Sequence, residues 1–182
     1  MNQTSDLTEK TLGREEKYQG SFLSLHVDQV QLPNGRTSIR EVVEHVDGVA
    51  ILALDDRNNV LTVTQYRYVI GKPLLEIPAG KLEPGEDPVA GALRELKEET
   101  GAVPDTFLPM GVTLPSPGCL SERLYLFLAR GLHMEEQHLD EDEFLNVERI
   151  PFSEMVHRVM DGEIEDGKTI AAVLKAKVLL NL

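Results

Sequence analysis

Glu95, Glu98 and Glu99 stand close together in a stretch, Gly80 to Ala102, that reads GKLEPGEDPVAGALRELKEETGA. Asp87 can accept from the free N–H groups at a helix start. Pro88 suits the first helical position, where its missing N–H is harmless, and Gly101 suits a left-handed stop. The pattern predicts a helix over about residues 88–100. At about 100° per residue, Val89, Ala92, Leu93 and Leu96 form its buried stripe. Glu95 and Glu99 lie one turn apart at the edge of that stripe, and Glu98 lies beside them toward solvent. Like charges at this spacing cost about 0.2–0.5 kcal/mol per pair. Glu98 and Glu99 also sit at the negative end of the helix dipole, where cations are favoured. A hard divalent cation with oxygen ligands relieves both conflicts. The competing reading is a solvated acidic face, the usual fate of a charge run.

The residues around these carboxylates favour the cation. Gly80, five residues, Glu86, seven residues, then Arg94-Glu95-Leu96-x-Glu98-Glu99-x-Gly101-Ala102 resembles the Nudix box, with every fixed polar and glycine position filled. The resemblance implies an α/β/α sandwich and hydrolysis of a nucleoside diphosphate linked to a further group. It implies Mg²⁺, with Mn²⁺ as a substitute, on Glu95, Glu99 and the Ala79 backbone carbonyl. Glu98 follows as an additional ligand or catalytic group. Arg94 is structural, paired with a motif carboxylate such as Glu86, and Gly80 and Gly101 are structural too. Arg67, at the end of a core strand, is set against the diphosphate, where a planar fork suits phosphate oxygens. Lys81 is assigned to the substrate. Glu76 is a contact supporting the site or the ribose, or an outward-facing strand residue.

Downstream residues resemble the ADP-ribose pyrophosphatase subfamily. Pro117, within Ser116-Pro117-Gly118-Cys119-Leu120-Ser121-Glu122, matches a proline about fifteen residues beyond the box; the alternative is a simple turn. Ser116, Pro117, Gly118 and Glu122 are assigned to the substrate. The acidic run Leu139 to Phe144 implies a loop glutamate that completes the metal site or acts as general base: Glu143 for the metal, Glu141 for the base. Spacing does not separate the two roles. Phe22, Arg40, Glu41 and His45 fall where family members contact the nucleotide, partly across a dimer, and an aromatic face suits adenine.

The elements that must position these residues are legible in outline. Tyr18–Leu32 and Thr37–His45 read as a hairpin around Pro33-Asn34-Gly35, preceded by a loose polar segment to about residue 12. Gly48–Leu54 and Val60–Tyr66 are apolar strands of a sheet covered on both faces. Pro104 and Pro109 suggest a loop, Leu124–Leu132 and Phe144–Ile150 strands, Ser153–Met160 a helix capped by Ser153, and Lys168–Leu182 a last helix using Ile170, Val173 and Leu174. Interleaved strands and helices make this an α/β protein with a mixed sheet. A small N-terminal antiparallel β extension, 1–46, precedes the main domain, 47–182. A two-stranded hairpin is marginal alone, so it must pack on something; the family resemblance implies a second subunit, hence a homodimer.

With 182 residues, 41% of them hydrophobic, the chain suits one ordinary core. A net charge of −13 argues against nucleic acid, which is bound by phosphate neutralisation. One cysteine, Cys119, suits a reducing compartment. A polar N-terminus and the lack of a long apolar run point to the cytoplasm, away from membranes. Three functions follow: a Mg²⁺-dependent ADP-ribose pyrophosphatase yielding AMP and ribose 5-phosphate; the same chemistry on a sugar nucleotide, NADH or another dinucleotide; or a non-catalytic nucleotide-binding module, disfavoured because no motif glutamate is missing.

Overall fold

The computed structural model describes residues 6–139 and 143–181. They form two compact units, Met1–Val46 with Ser116–Glu122, and Asp47–Pro115 with Arg123–Leu182.

The smaller unit is a three-stranded antiparallel sheet of β1 (Lys10–Gln19), β2 (Leu23–Gln31) and β3 (Thr37–His45), with β2 central. The expected hairpin therefore has a third strand, over a stretch whose start reads as loose. Every residue of β1 is exposed, so its side chains carry no burial pattern; pairing of its backbone with β2 makes it a strand. A turn at Gly20, whose N–H donates to the Leu23 carbonyl at 2.8 Å, breaks the expected Tyr18–Leu32 strand. Residues 116–122 join this unit beside β3. The Val43 N–H donates to the Cys119 carbonyl at 2.7 Å, and the Ser121 N–H to the Val43 carbonyl at 3.0 Å.

The larger unit contains β4 (Gly48–Leu54), β5 (Asn59–Arg67), β6 (Lys72–Glu76), β7 (Ala79–Lys81), α1 (Pro88–Thr100), β8 (Ala102–Thr113), β9 (Leu124–Met134), β10 (Leu145–Pro151), α2 (Phe152–Met160) and α3 (Gly167–Leu180). The sheet runs β10-β5-β4-β9-β8, with β6 on β5 and β7 on β4. β4 and β9 are parallel, so the sheet is mixed. All seven residues of β4 are buried, as a strand covered on both faces requires. Ala50, Leu52 and Leu54 pack with Phe152, Met155 and Val173 from α2 and α3. Val49, Ile51 and Ala53 pack with Ala92 and Leu96 of α1. The result is an α/β/α sandwich.

One edge of β4 is shared. Its C-terminal residues Ala53 and Leu54 pair with β5, while Gly48–Ala50 pair with β7. The start of the motif is thereby fixed to the most buried strand.

Three local expectations are corrected. Pro104 and Pro109 lie in β8, not in a loop; β8 is an edge strand, the place in a sheet where proline is tolerated. Ser153 is not the α2 cap: Pro151 occupies that position, without a side-chain cap bond. α3 begins at Gly167, with Asp166 accepting from the Thr169 N–H, and it buries Thr169, Ala172, Val173 and Ala176; of the three expected positions only Val173 is fully buried.

α1 ends as its sequence requires. Gly101 has φ 73°, and its N–H donates to the Lys97 carbonyl at 2.7 Å. A Cβ there would stand 2.4 Å from the Glu135 carbonyl oxygen. Gly101→Ala is expected to destabilise the protein by more than about 1 kcal/mol, read as a lowered thermal midpoint.

Candidate active site

The buried face of α1 differs from the expected stripe. Gly91, Ala92, Glu95, Leu96, Glu99 and Thr100 are buried, while Val89 and Leu93 are exposed. Glu95 retains 8% and Glu99 only 1% of its accessible surface. The buried face is thus rotated toward Glu95 and Glu99 and away from Val89 and Leu93. Burying a charge is costly unless it is paired, so the pairing of these groups defines the site.

Arg94 supplies part of it. Its Nε and Nη2 each donate to Glu86 at 3.0 Å, and its Nη1 donates to Glu95 Oε1 at 2.9 Å and to Glu98 Oε2 at 2.8 Å. Nη2 also reaches the Lys81 carbonyl at 3.2 Å, fastening the loop to the helix. The Arg94 guanidinium holds the Glu86 carboxyl down at about 2. Gly80 makes room for the second carboxylate. A Cβ at Gly80 would fall 2.0 Å from the Glu95 carboxyl carbon, so the carboxylate lies directly on the glycine backbone.

Glu99 accepts from the Ala79 N–H at 2.9 Å. Burial pushes its carboxyl up to about 8, only partly opposed by that bond, while the charges of Glu95 and Glu143 push in the same direction as burial. Burial also raises Glu95, and Glu98 and Glu143 add to the effect. The charge of Glu143 thus acts on both of these carboxylates. The acidic loop is anchored on the C-terminal end of α1: the His138 N–H donates to the Glu98 carbonyl at 3.1 Å, the Glu135 N–H to the Gly101 carbonyl at 2.7 Å, and the Gln137 side-chain amide to the Glu99 carbonyl. Gln137 and His138 carried no signal in the sequence. Glu141 lies outside the described residues.

A second charged group adjoins the first. Glu76 is not an outward-facing residue; it is 1% exposed. Arg67 donates to it from Nε at 2.7 Å and Nη2 at 2.6 Å, and Lys168 bonds the same carboxylate. Burial alone would raise the Glu76 pKa; Arg67 and Lys168 hold it below the ordinary carboxylate value. The Lys168 charge also acts on Glu99. An open cavity of about 530 Å³ is lined by Arg67, Glu76 and Lys168 together with Tyr66, Tyr68 and Leu74. Lys168 and Asp166 went unread in the sequence because they lie some ninety residues from Glu76.

In the smaller unit, the rings of Phe22 and His45 meet edge to face with centroids 5.4 Å apart, and His45 Nδ1 lies 3.9 Å from Glu122. The Ser121 hydroxyl accepts from the His45 N–H at 3.0 Å. Arg40 does not join this group. Strand alternation puts it on the opposite face of β3 from Glu41 and His45, and it bonds Glu9 through Nε at 3.0 Å. Glu41 is exposed. Ser116, Pro117 and Gly118 form the turn in which the Ser116 carbonyl accepts from the Leu120 N–H at 2.9 Å.

Residues 44–173 match the model of the NUDIX domain. The chain belongs to the Nudix family. Residues 9–43 match a second model, the nucleoside diphosphate sugar hydrolase N-terminal domain. The chain is 42% identical to a methanol dehydrogenase activator from Bacillus methanolicus over 91% of its own length and 90% of the relative's. It is 40% identical to an ADP-ribose pyrophosphatase from Bacillus subtilis (strain 168) over 92% and 91%. A crystal structure of an ADP compounds hydrolase shares its fold with a TM-score of 0.85, at 21% identity, covering 98% of this chain and 97% of the other.

The donor set of this Nudix hydrolase fits a hard divalent cation. Glu95 and Glu99 are buried carboxylates with raised pKa values, and a cation offsets the penalty that raises them. Among the described residues no three His, Cys, Asp or Glu side chains are already closed around one point, since Glu95 Oε1 and Glu98 Oε2 are turned to Arg94 Nη1. A cation therefore competes with Arg94 for these oxygens.

Two outcomes follow. Glu99 holds its proton up to about pH 8 when folded, against an ordinary value of 4.5. Between those values the unfolded chain binds fewer protons, so metal-free stability falls as pH rises, at up to about 1.4 kcal/mol per pH unit. Glu86 titrates near 2, below this window. Thermal midpoints in EDTA should drop from pH 5 to pH 8 in the wild type and drop less in Glu99→Gln, while added Mg²⁺ raises the wild-type midpoint more at pH 8 than at pH 5. Gly80→Ala should displace Glu95 and weaken Mg²⁺ binding about tenfold or more, measured by calorimetry.

Proposed function

We propose that this Nudix hydrolase cleaves the pyrophosphate bond of ADP-ribose, yielding AMP and ribose 5-phosphate, with Mg²⁺ as its cofactor and Mn²⁺ as a substitute. The observation that carries the reading is the convergence of Glu95, Glu99 and Glu143 beside Arg67 and Lys168. The 40% identity to an ADP-ribose pyrophosphatase across nearly the whole of both chains supports the choice of substrate.

Glu95, Glu99, Glu143 and the Ala79 carbonyl would hold the metal, with Glu98 as a further ligand. A metal held there would supply the charge that offsets the diphosphate and makes water a better nucleophile. Arg67 turns its guanidinium to the phosphate oxygens and orients the bridge for in-line attack. As the water oxygen bonds to phosphorus, a loop carboxylate, Glu141 or Glu143, takes its proton and the bridging P–O bond breaks. The electron pair leaves with the departing phosphate. Phe22, His45 and Glu122, brought together in the smaller unit, form the nucleoside-binding group. Glu41, Arg40, Lys81, Ser116, Pro117 and Gly118 complete the substrate assignment. The exposed β1 and the apolar side chains of Leu12 and Ile39 support a homodimer formed through residues 1–46. No helix among the described residues is long and apolar enough to cross a membrane, and one cysteine suits the cytoplasm.

A second reading keeps the chemistry and changes the substrate to another nucleoside diphosphate derivative: a sugar nucleotide, NADH or a dinucleotide. The N-terminal match to a nucleoside diphosphate sugar hydrolase domain favours it. A substrate panel with product identification separates the two. ADP-ribose with Mg²⁺ should give AMP and ribose 5-phosphate, and the absence of AMP would overturn the first reading. Glu99→Gln should lower kcat by about a hundredfold or more while far-ultraviolet circular dichroism stays unchanged; near-wild-type turnover would remove the metal assignment. Light scattering at micromolar concentration should give twice the chain mass.

A further inference from the structure

Glu76 and its partners form a closed chain of contacts that the motif does not contain. Arg67 meets the buried carboxylate with its Nε and Nη2 edge, which leaves Nη1 and the opposite edge of the guanidinium unused by Glu76. Lys168 meets the same carboxylate and is itself 12% exposed. Its Nζ makes a second bond, to Asp166, at 3.0 Å. Asp166 caps α3 through the Thr169 N–H at 3.0 Å, and Thr169 Oγ1 accepts from the N–H of Ile77, the residue after Glu76, at 2.9 Å. The end of β6 and the start of α3 are therefore locked together around one carboxylate.

Two cations on one buried carboxylate have a consequence for Arg67. Lys168 is itself bonded to Asp166, and the charges of Asp166 and Glu99 also act on Arg67, so what Lys168 adds is a second hold on the carboxylate that Arg67 grips at the wall of the cavity the two cations line. The bidentate bond also fixes the plane of the guanidinium, and that plane is only as rigid as Glu76.

We propose that Lys168 is a positioning residue, which clamps Glu76 so that Arg67 presents its free guanidinium edge to the diphosphate of the substrate. The proposal rests on the role given above to Arg67 and names a residue outside the motif that this role requires.

The test is a double-mutant cycle with R67A and K168M. Its first readout is binding of ADP in EDTA by calorimetry, which needs neither metal nor turnover. Its second is kcat and KM for whichever nucleoside diphosphate derivative the wild type hydrolyses best. K168M should weaken ADP binding and raise KM by about tenfold with a smaller change in kcat, and the double variant should be no worse than R67A, because coupled residues are non-additive. K168R should recover most of the loss. Multiplied losses in the double variant, ADP affinity of K168M within twofold of wild type, or a K168R variant as impaired as K168M would each overturn the proposal. If thermal melts show that K168M does not fold, D166N replaces it, since asparagine also caps helices and the change removes one anchor of Lys168. Its loss of ADP affinity should again be non-additive with R67A, and multiplied losses would overturn the proposal. ADP binding reports on Lys168 whether or not ADP-ribose is the substrate, so the two readings fail separately.

Discussion

The structure depends on placing negative charge where apolar side chains would ordinarily go. Glu95 and Glu99 take core-facing positions of α1, and the fold is arranged to tolerate them. Gly80 gives up its side chain so that the Glu95 carboxylate can lie on the backbone. Arg94 shares one guanidinium among Glu86, Glu95 and Glu98. Among the described residues the Glu99 carboxylate accepts a backbone N–H from Ala79, which only partly opposes burial, and its proton affinity rises. Such a site is destabilised by its own charge until a cation arrives, so affinity for the cation and strain in the metal-free state have the same cause.

The fold surrounds this conflict with rigid parts. β4 is buried on both faces and carries β7, hence Ala79 and Gly80, on one edge. α1 is capped at both ends, by Asp87 and by Gly101. The acidic loop is tied to the C-terminal carbonyls of α1, which brings Glu143 back over a long sequence separation. On the other side, Glu76 is held by Arg67 and Lys168. Cations that suit a diphosphate therefore stand next to carboxylates that suit a metal.

How much of this could be read in advance differed by the range of the interaction. The ends of α1 were legible, because capping is local: Asp87, Pro88 and Gly101 act on backbone within a few residues. The pairing of Arg94 with Glu86 was also legible, from two motif residues eight positions apart. The buried face of α1 was half legible: Ala92 and Leu96 are buried as expected, but hydrophobic periodicity also assigns Val89 and Leu93 inward and cannot recognise a buried carboxylate. β1 was missed for the complementary reason: an exposed strand held by backbone pairing leaves no trace in side-chain pattern. The prolines of β8 read as loop because their tolerance depends on lying at a sheet edge.

By itself the sequence determined the helix of the motif, its caps, the family of the chain and the set of carboxylates that could grip a cation, since each rests on residue type at short spacing. Only the tertiary structure decided that Glu76 is buried, that Lys168 and Asp166 stand against it, that Arg40 is turned away from His45, and that Glu143 reaches Glu95 and Glu99. Those facts depend on which distant segments pack together. Packing is set by the whole core, and no local run of residues encodes it.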